Sequence, residues 1–123
     1  MNQLRKLNAI HKAIMAFVAS SEVQKAGELF EGWEKDEHTP HNSDSLKGQI
    51  SIFQRQLPNT VKAIEQENIE ELKNTLEMYK RDRKKLQFDI QNDKISRELF
   101  EPLQSYIESL NDWITVLESI VNE

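Results

Sequence analysis

The chain has 123 residues, of which 37% are apolar, 30% charged and 7% aromatic, and it contains three Gly, three Pro and no Cys. This length predicts one globular domain, and the lack of Cys excludes disulfide scaffolds, Cys-ligated zinc, iron–sulfur clusters and thiol nucleophiles. The net charge of −5 argues against a general nucleic-acid binder. No apolar run is long enough for a membrane span, and a signal peptide is not expected, so a cytoplasmic protein is favoured.

The first apolar repeat begins almost at the first residue. Large side chains recur at spacings of three and four, which predicts a helix over roughly residues 2–20. Its expected buried face is Leu4, Leu7, Ile10 or His11, Ile14, Phe17 and Val18. Ser21 and Gln24 suit a capping box, so a kink or break is expected before a second helix over 22–36. Residues 38–43 then interrupt the periodicity and predict a loop.

Three further helices are predicted after this loop. The apolar stripe keeps its phase across Pro58, which favours one kinked helix over 44–67. Asn68 can cap a helix over 69–91, in which Arg83 holds an inward position and is expected to snorkel or to pair with a carboxylate of another helix. The last helix covers 94–122, with Pro102 near its start or at a kink. The predicted fold is all-α, an antiparallel bundle of about four long helices forming one domain over 1–123.

The last helix carries more apolar residues than one buried stripe requires. A full heptad seam is accompanied by a second row spaced seven residues apart: Phe100, Ile107, Ile114 and Val121. Either the helix lies centrally in its own bundle, or this row is left for a second chain. The predicted partner-binding residues are this row and the acidic residues of the same helix, Glu101, Glu108, Asp112 and Glu118. A homodimer through the C-terminal helix is one form that this binding could take.

Catalytic and metal-binding motifs are not evident in the sequence. The one cluster with metal-ligand residue types is His38 and His41 with Asp36, Glu37 and Asp44, and its spacing is not that of a known site, so surface histidines are expected. His11 lies on or beside the expected apolar face of the first helix. We therefore expect no enzyme activity, no cofactor, no metal and no small-molecule substrate.

One short stretch resembles a known family. The residues Asp44-Ser45-Leu46-Lys47-Gly48 resemble the His-(Ser/Thr)-Leu-Lys-Gly signature of histidine phosphotransfer domains, which are four-helix bundles. Asp44 stands where that family has its phosphorylated histidine. The resemblance therefore implies a non-phosphorylatable adaptor that binds a signalling partner.

Small bundles without catalytic motifs mostly bind other proteins. The function we expect is a non-catalytic module that inhibits, masks or neutralises a partner, of the immunity or inhibitor type. The acidic last helix favours a basic protein as that partner, with no nucleic acid or membrane involved. The alternatives are an assembly factor built on a homodimer and a chaperone that covers an amphipathic helix of its client. Size, acidity and a helix–turn–helix junction over residues 63–72 resemble flagellar and type III export chaperones.

Overall fold

The computed structural model describes residues 1–29, 46–92, 95 and 97–123, which form four long helices. The helices are α1 (Gln3–Gly27), α2 (Leu46–Glu65), α3 (Ile69–Gln91) and α4 (Phe100–Val121), and a 3-10 turn at Arg97–Leu99 leads into α4. No strand occurs in these described ranges. The all-α prediction is therefore confirmed.

The helices form a four-helix bundle in which neighbours in sequence are also neighbours in space. The contacting pairs are α1 with α2, α2 with α3, α3 with α4, and α4 with α1. Lys6 donates a hydrogen bond from Nζ to the carbonyl oxygen of Glu65 at 3.3 Å, so the start of α1 lies beside the end of α2. Arg5 donates to Ser119 Oγ at 2.6 Å, which places the start of α1 beside the end of α4. The bundle is therefore antiparallel, as predicted.

α2 and α3 lie within two residues of their predicted bounds, whereas α4 begins at Phe100, six residues after the predicted start at 94. α2 runs without a break through Pro58, and α3 begins at the predicted cap, where Asn68 Oδ1 accepts a hydrogen bond from the Glu71 amide at 3.2 Å. Pro102 lies in the first turn of α4, where its missing N–H has no helical partner to lose. The predicted inward positions of these helices are buried or half-buried. The complete heptad seam of the last helix is buried, with its first member in the 3-10 turn that precedes α4: Leu99, Leu103, Tyr106, Leu110, Trp113, Leu117 and Ile120.

The buried face of α1 is not the predicted one. The residues that pack inward are mostly small and follow spacings of four and three: Ala9, Ala13, Ala16, Ser20, Val23 and Gly27. Most of the large apolar residues expected in the core lie on the opposite side and are exposed: Leu4, Leu7, Ile14, Phe17 and Val18. Small side chains allow helix axes to approach closely, because the distance between packed helices is set by the side chains at the contact. α2 and α4 therefore supply the bulk against which α1 packs.

The break expected at Ser20 and Ser21 is also absent. Ser20 is fully buried inside the continuous helix α1, where its hydroxyl donates to the Phe17 carbonyl at 2.6 Å and accepts a hydrogen bond from Gln54 Nε2 at 3.1 Å. Because both of its hydrogen-bonding functions are satisfied, this serine has no need to end the helix. Of the predicted helix over 22–36, residues 22–27 belong to α1 and residues 30–36 lie outside the described part of the chain, as does the predicted loop.

A tight turn joins α2 to α3. Glu67 adopts a left-handed conformation with φ of 53°. The amide of Asn68 donates to the Ala63 carbonyl at 2.9 Å, and the amide of Glu67 donates to the Ile64 carbonyl at 3.1 Å. These two bonds form a Schellman motif, which satisfies carbonyl groups at the end of α2. The turn thus fixes the antiparallel pairing of α2 with α3.

The centre of the core is aromatic and comes from α2, α3 and α4. Phe53 makes edge-to-face contacts with Tyr79 and Tyr106, at ring-centroid distances of 5.7 and 5.3 Å, and Tyr79 contacts Trp113 in the same way at 6.0 Å. The hydroxyl groups of Tyr79 and Thr60 share a buried hydrogen bond of 3.0 Å. This bond satisfies a polar group that would be costly to bury alone.

Arg83 occupies the predicted inward position on α3, but its partner differs from the predicted one. Its Nη1 donates a hydrogen bond of 2.9 Å to Asn111 Oδ1 of α4, an amide oxygen where a carboxylate or bulk solvent was expected. Elsewhere on α3, Lys85 pairs with Asp89 at 3.0 Å, at the i,i+4 spacing that brings two side chains together on a helix surface. Both basic residues thus make contacts within the bundle.

We expect replacement of Ala13 by leucine to destabilise the bundle by about 1–3 kcal/mol, because extra methylene groups would overpack the contact of α1 with its neighbours. Ala13 is only 1% exposed. Ile14→Ala, at the adjacent exposed position, is the control and should change stability by no more than about 0.5 kcal/mol at low protein concentration. Urea denaturation followed by circular dichroism measures both changes. Equal stability of Ala13→Leu and the natural chain would contradict the small-residue packing.

The two tyrosines of the chain should ionise only when the bundle unfolds. Burial raises the pKa of Tyr79 above 10.0, and burial with the nearby Asp82 charge raises the pKa of Tyr106 well above that value. The unfolded chain then loses these protons more readily than the folded chain. The stability that their burial contributes is complete below pH 10 and is lost as the pH rises beyond it. Tyrosinate absorbance and helical circular dichroism should therefore change together, and ionisation near pH 10 with helices intact would contradict the prediction.

Candidate partner-binding surface

The most unusual surface of the described structure is the outer face of α1. We define it by Leu4, Leu7, His11, Ile14 and Val18, with Ile10, Met15 and Phe17 on its flanks. Leu4 is 75% exposed, Ile14 is 56% exposed, and Leu7 and Val18 are each 54% exposed. Scattered exposed apolar residues are ordinary, but a contiguous apolar patch of a few hundred Å² or more is typical of an interaction site.

The geometry of the helix explains why this face is turned to solvent. An α-helix turns 100° per residue, so the outer positions and the small inward positions lie on opposite sides of α1. The inward series ends at Gly27 and includes Ala9 and Ala13. These residues bury little apolar surface, but their small side chains let a neighbouring helix come close. When this side packs on the bundle, the large side chains on the other side have no partner within the described chain.

The charges of α1 lie off its outer face. In residues 1–21 the charged side chains are Arg5, Lys6 and Lys12, and acidic residues are absent. Arg5 forms an ion pair with Glu123, and Lys6 lies 3.7 Å from the carboxylate of Glu67. These pairs fasten the start of α1 to the bundle, and they leave the outer face without a formal charge, apart from any charge on His11.

Glu67 also forms an ion pair with the amino group of Met1, whose nitrogen lies 2.9 Å from Oε1. The hydrogen bond from this amino group, with the positive charge of Lys6, lowers the pKa of the Glu67 carboxyl below its usual value. The carboxylate therefore stays ionised at neutral pH, and the two cations hold the start of α1 against the α2–α3 turn.

The apolar row of α4 that was predicted to bind a partner is largely buried, whereas most of the acidic residues on the same helix are exposed. Ile107 and Ile114 are buried, with exposures of 5% and 0%, whereas Phe100 and Val121 are half-buried. The middle of the row packs in the core of its own bundle, which favours the first of the two alternatives given for this helix. Binding of a partner by α4 stays a prediction.

The acidic residues of α4 remain available at the surface. Glu101, Glu108 and Asp112 are exposed, and Glu118 is half-buried and lies 3.9 Å from Lys80. A groove between the end of α1 and the start of α4 is lined by Glu22, Glu98 and Glu101 together with Lys25 and Leu29. Its polar lining is thus mainly negative.

The histidines of the chain are the remaining candidates for a binding or metal site. His11 is exposed on the outer face of α1, not in the core. His38, His41 and the neighbouring acidic residues lie outside the described part of the chain, and the described residues contain no group of three or more side chains that could hold a metal ion. No described helix has the length and apolar character to cross a membrane.

The phosphotransfer-like signature is only partly within the described residues. Asp44 and Ser45 lie outside them, while Leu46, Lys47 and Gly48 form the start of α2, with Gly48 buried. The four-helix bundle agrees with the fold that this resemblance implies. That agreement concerns architecture alone, because many unrelated functions share this fold.

The half-buried Asp82 and the buried Tyr79 and Tyr106 form a second cluster of titratable residues. Burial raises the pKa of Asp82 on α3, an effect that the positive charges of Arg81 and Lys85 oppose. The Asp82 charge in turn raises the pKa of Tyr106. Tyr106 and Tyr79 are buried among aromatic rings and belong to the core, whereas Asp82 is half-buried.

The comparisons with known proteins give no match. A scan against protein-family models, a search of the curated proteins and a search of the solved structures each find none.

The prediction from the sequence found the apolar series of the outer face but placed it in the core. The signal that separates the two sides of α1 is the second heptad series, Ala9, Ala13, Ala16, Ser20, Val23 and Gly27. A prediction of the buried helix face from side-chain hydrophobicity gives these small residues less weight than the leucines and isoleucines on the opposite side.

Paired aspartate substitutions should distinguish the two apolar rows. We expect Ile107→Asp with Ile114→Asp to abolish the folded bundle, because it buries two charges without partners, each at a cost of several kcal/mol. Leu7→Asp with Ile14→Asp should keep the helical content, since both positions are more than half exposed. Circular dichroism and thermal denaturation check both variants. A folded Ile107/Ile114 variant would show that the α4 row is not a required part of the core.

Proposed function

We propose that this protein is a non-catalytic binding module that covers an apolar surface of a partner protein through the outer face of α1. The observation that carries the proposal is the exposure of five large apolar side chains along one helix face: Leu4, Leu7, Ile14, Met15 and Val18. Aliphatic side chains supply neither a nucleophile nor a general acid or base. They contribute binding free energy when a partner removes them from water.

The spacing of the outer face favours a helical partner. Side chains at spacings of three and four project from one side of a helix and pack between the side chains of another helix. This mode supports a masking or chaperone-like role, in which the module covers an amphipathic helix of its partner. Because the face has no formal charge apart from any on His11, salt should change the affinity little.

An inhibitor of a basic protein is the second candidate function. It is favoured by the exposed Glu101, Glu108 and Asp112 on α4 and by the negative groove beside Glu101. Such a complex would form rapidly at low ionic strength and weaken as salt screens the opposed charges. The salt dependence of a complex therefore distinguishes the two candidate functions.

Two charge-altering variants test which surface binds. The natural chain, Leu7→Asp/Ile14→Asp and Glu108→Lys/Asp112→Lys are immobilised in parallel and exposed to an extract of the native host. A captured protein is then identified, purified and titrated against each variant. We expect the α1 variant to weaken binding at least about tenfold, because central apolar contacts dominate interface energies, while the α4 variant binds as the natural chain does.

The controls for this experiment are structural and ionic. Circular dichroism must show that both variants keep the helical content of the natural chain. We expect the affinity to stay within about twofold as ionic strength rises from about 0.05 to 0.5 M, a range in which screening becomes strong. Loss of binding in the α4 variant alone, with a steep salt dependence, would reject the α1 surface and favour the inhibitor.

A further inference from the structure

We draw no further inference here: the strongest candidate, the apolar outer face of α1 on which the proposed function rests, carries nothing more, because nothing in the described part of the structure shows what covers it.

Discussion

The close approach of α1 to α2 and α4 is the constraint on which the rest of this structure depends. It requires small side chains on the inward side of α1, from Ala9 to Gly27, and it leaves the bulk of the core to the other helices. Because Ala and Gly bury little apolar surface, α1 contributes less to the hydrophobic core than a leucine-rich helix would. The same arrangement turns the leucines and isoleucines of α1 to the outside, so core packing and surface chemistry have a single cause.

Much of the bundle could be predicted from the sequence where apolar size and periodicity agree. In α2, α3 and α4 most of the large apolar residues occupy the inward positions, although Phe88 of α3 is exposed, and the Asn68 cap and Pro102 lie at the starts of α3 and α4. The prediction failed in α1, where two heptad series compete, and at Ser20, whose partner Gln54 comes from another helix. Periodicity shows that a helix has an apolar side, but only its neighbours decide which side they can approach.

The candidate site could be predicted only in part, for a related physical reason. The apolar row of α4 was recognisable as a surplus, yet a helix that contacts both α1 and α3 needs a wide apolar face, and Ile107 and Ile114 fill it. On α1 most of the large apolar residues of the outer face are exposed, and all of the outer ones except Met15 were identified in the sequence but predicted to lie inside. Counting apolar residues along one helix cannot separate these cases, because the answer depends on how much surface the neighbouring helices cover.

The aromatic cluster of the core has a consequence for how the motions of this protein can be observed. Phe53, Tyr79, Tyr106 and Trp113 all belong to α2, α3 and α4. The near-ultraviolet signal of these rings therefore reports mainly the packing of α2, α3 and α4 against one another. Amide hydrogen exchange in α1, which carries none of these four rings, would report the separation of α1 from the bundle more directly than that signal does.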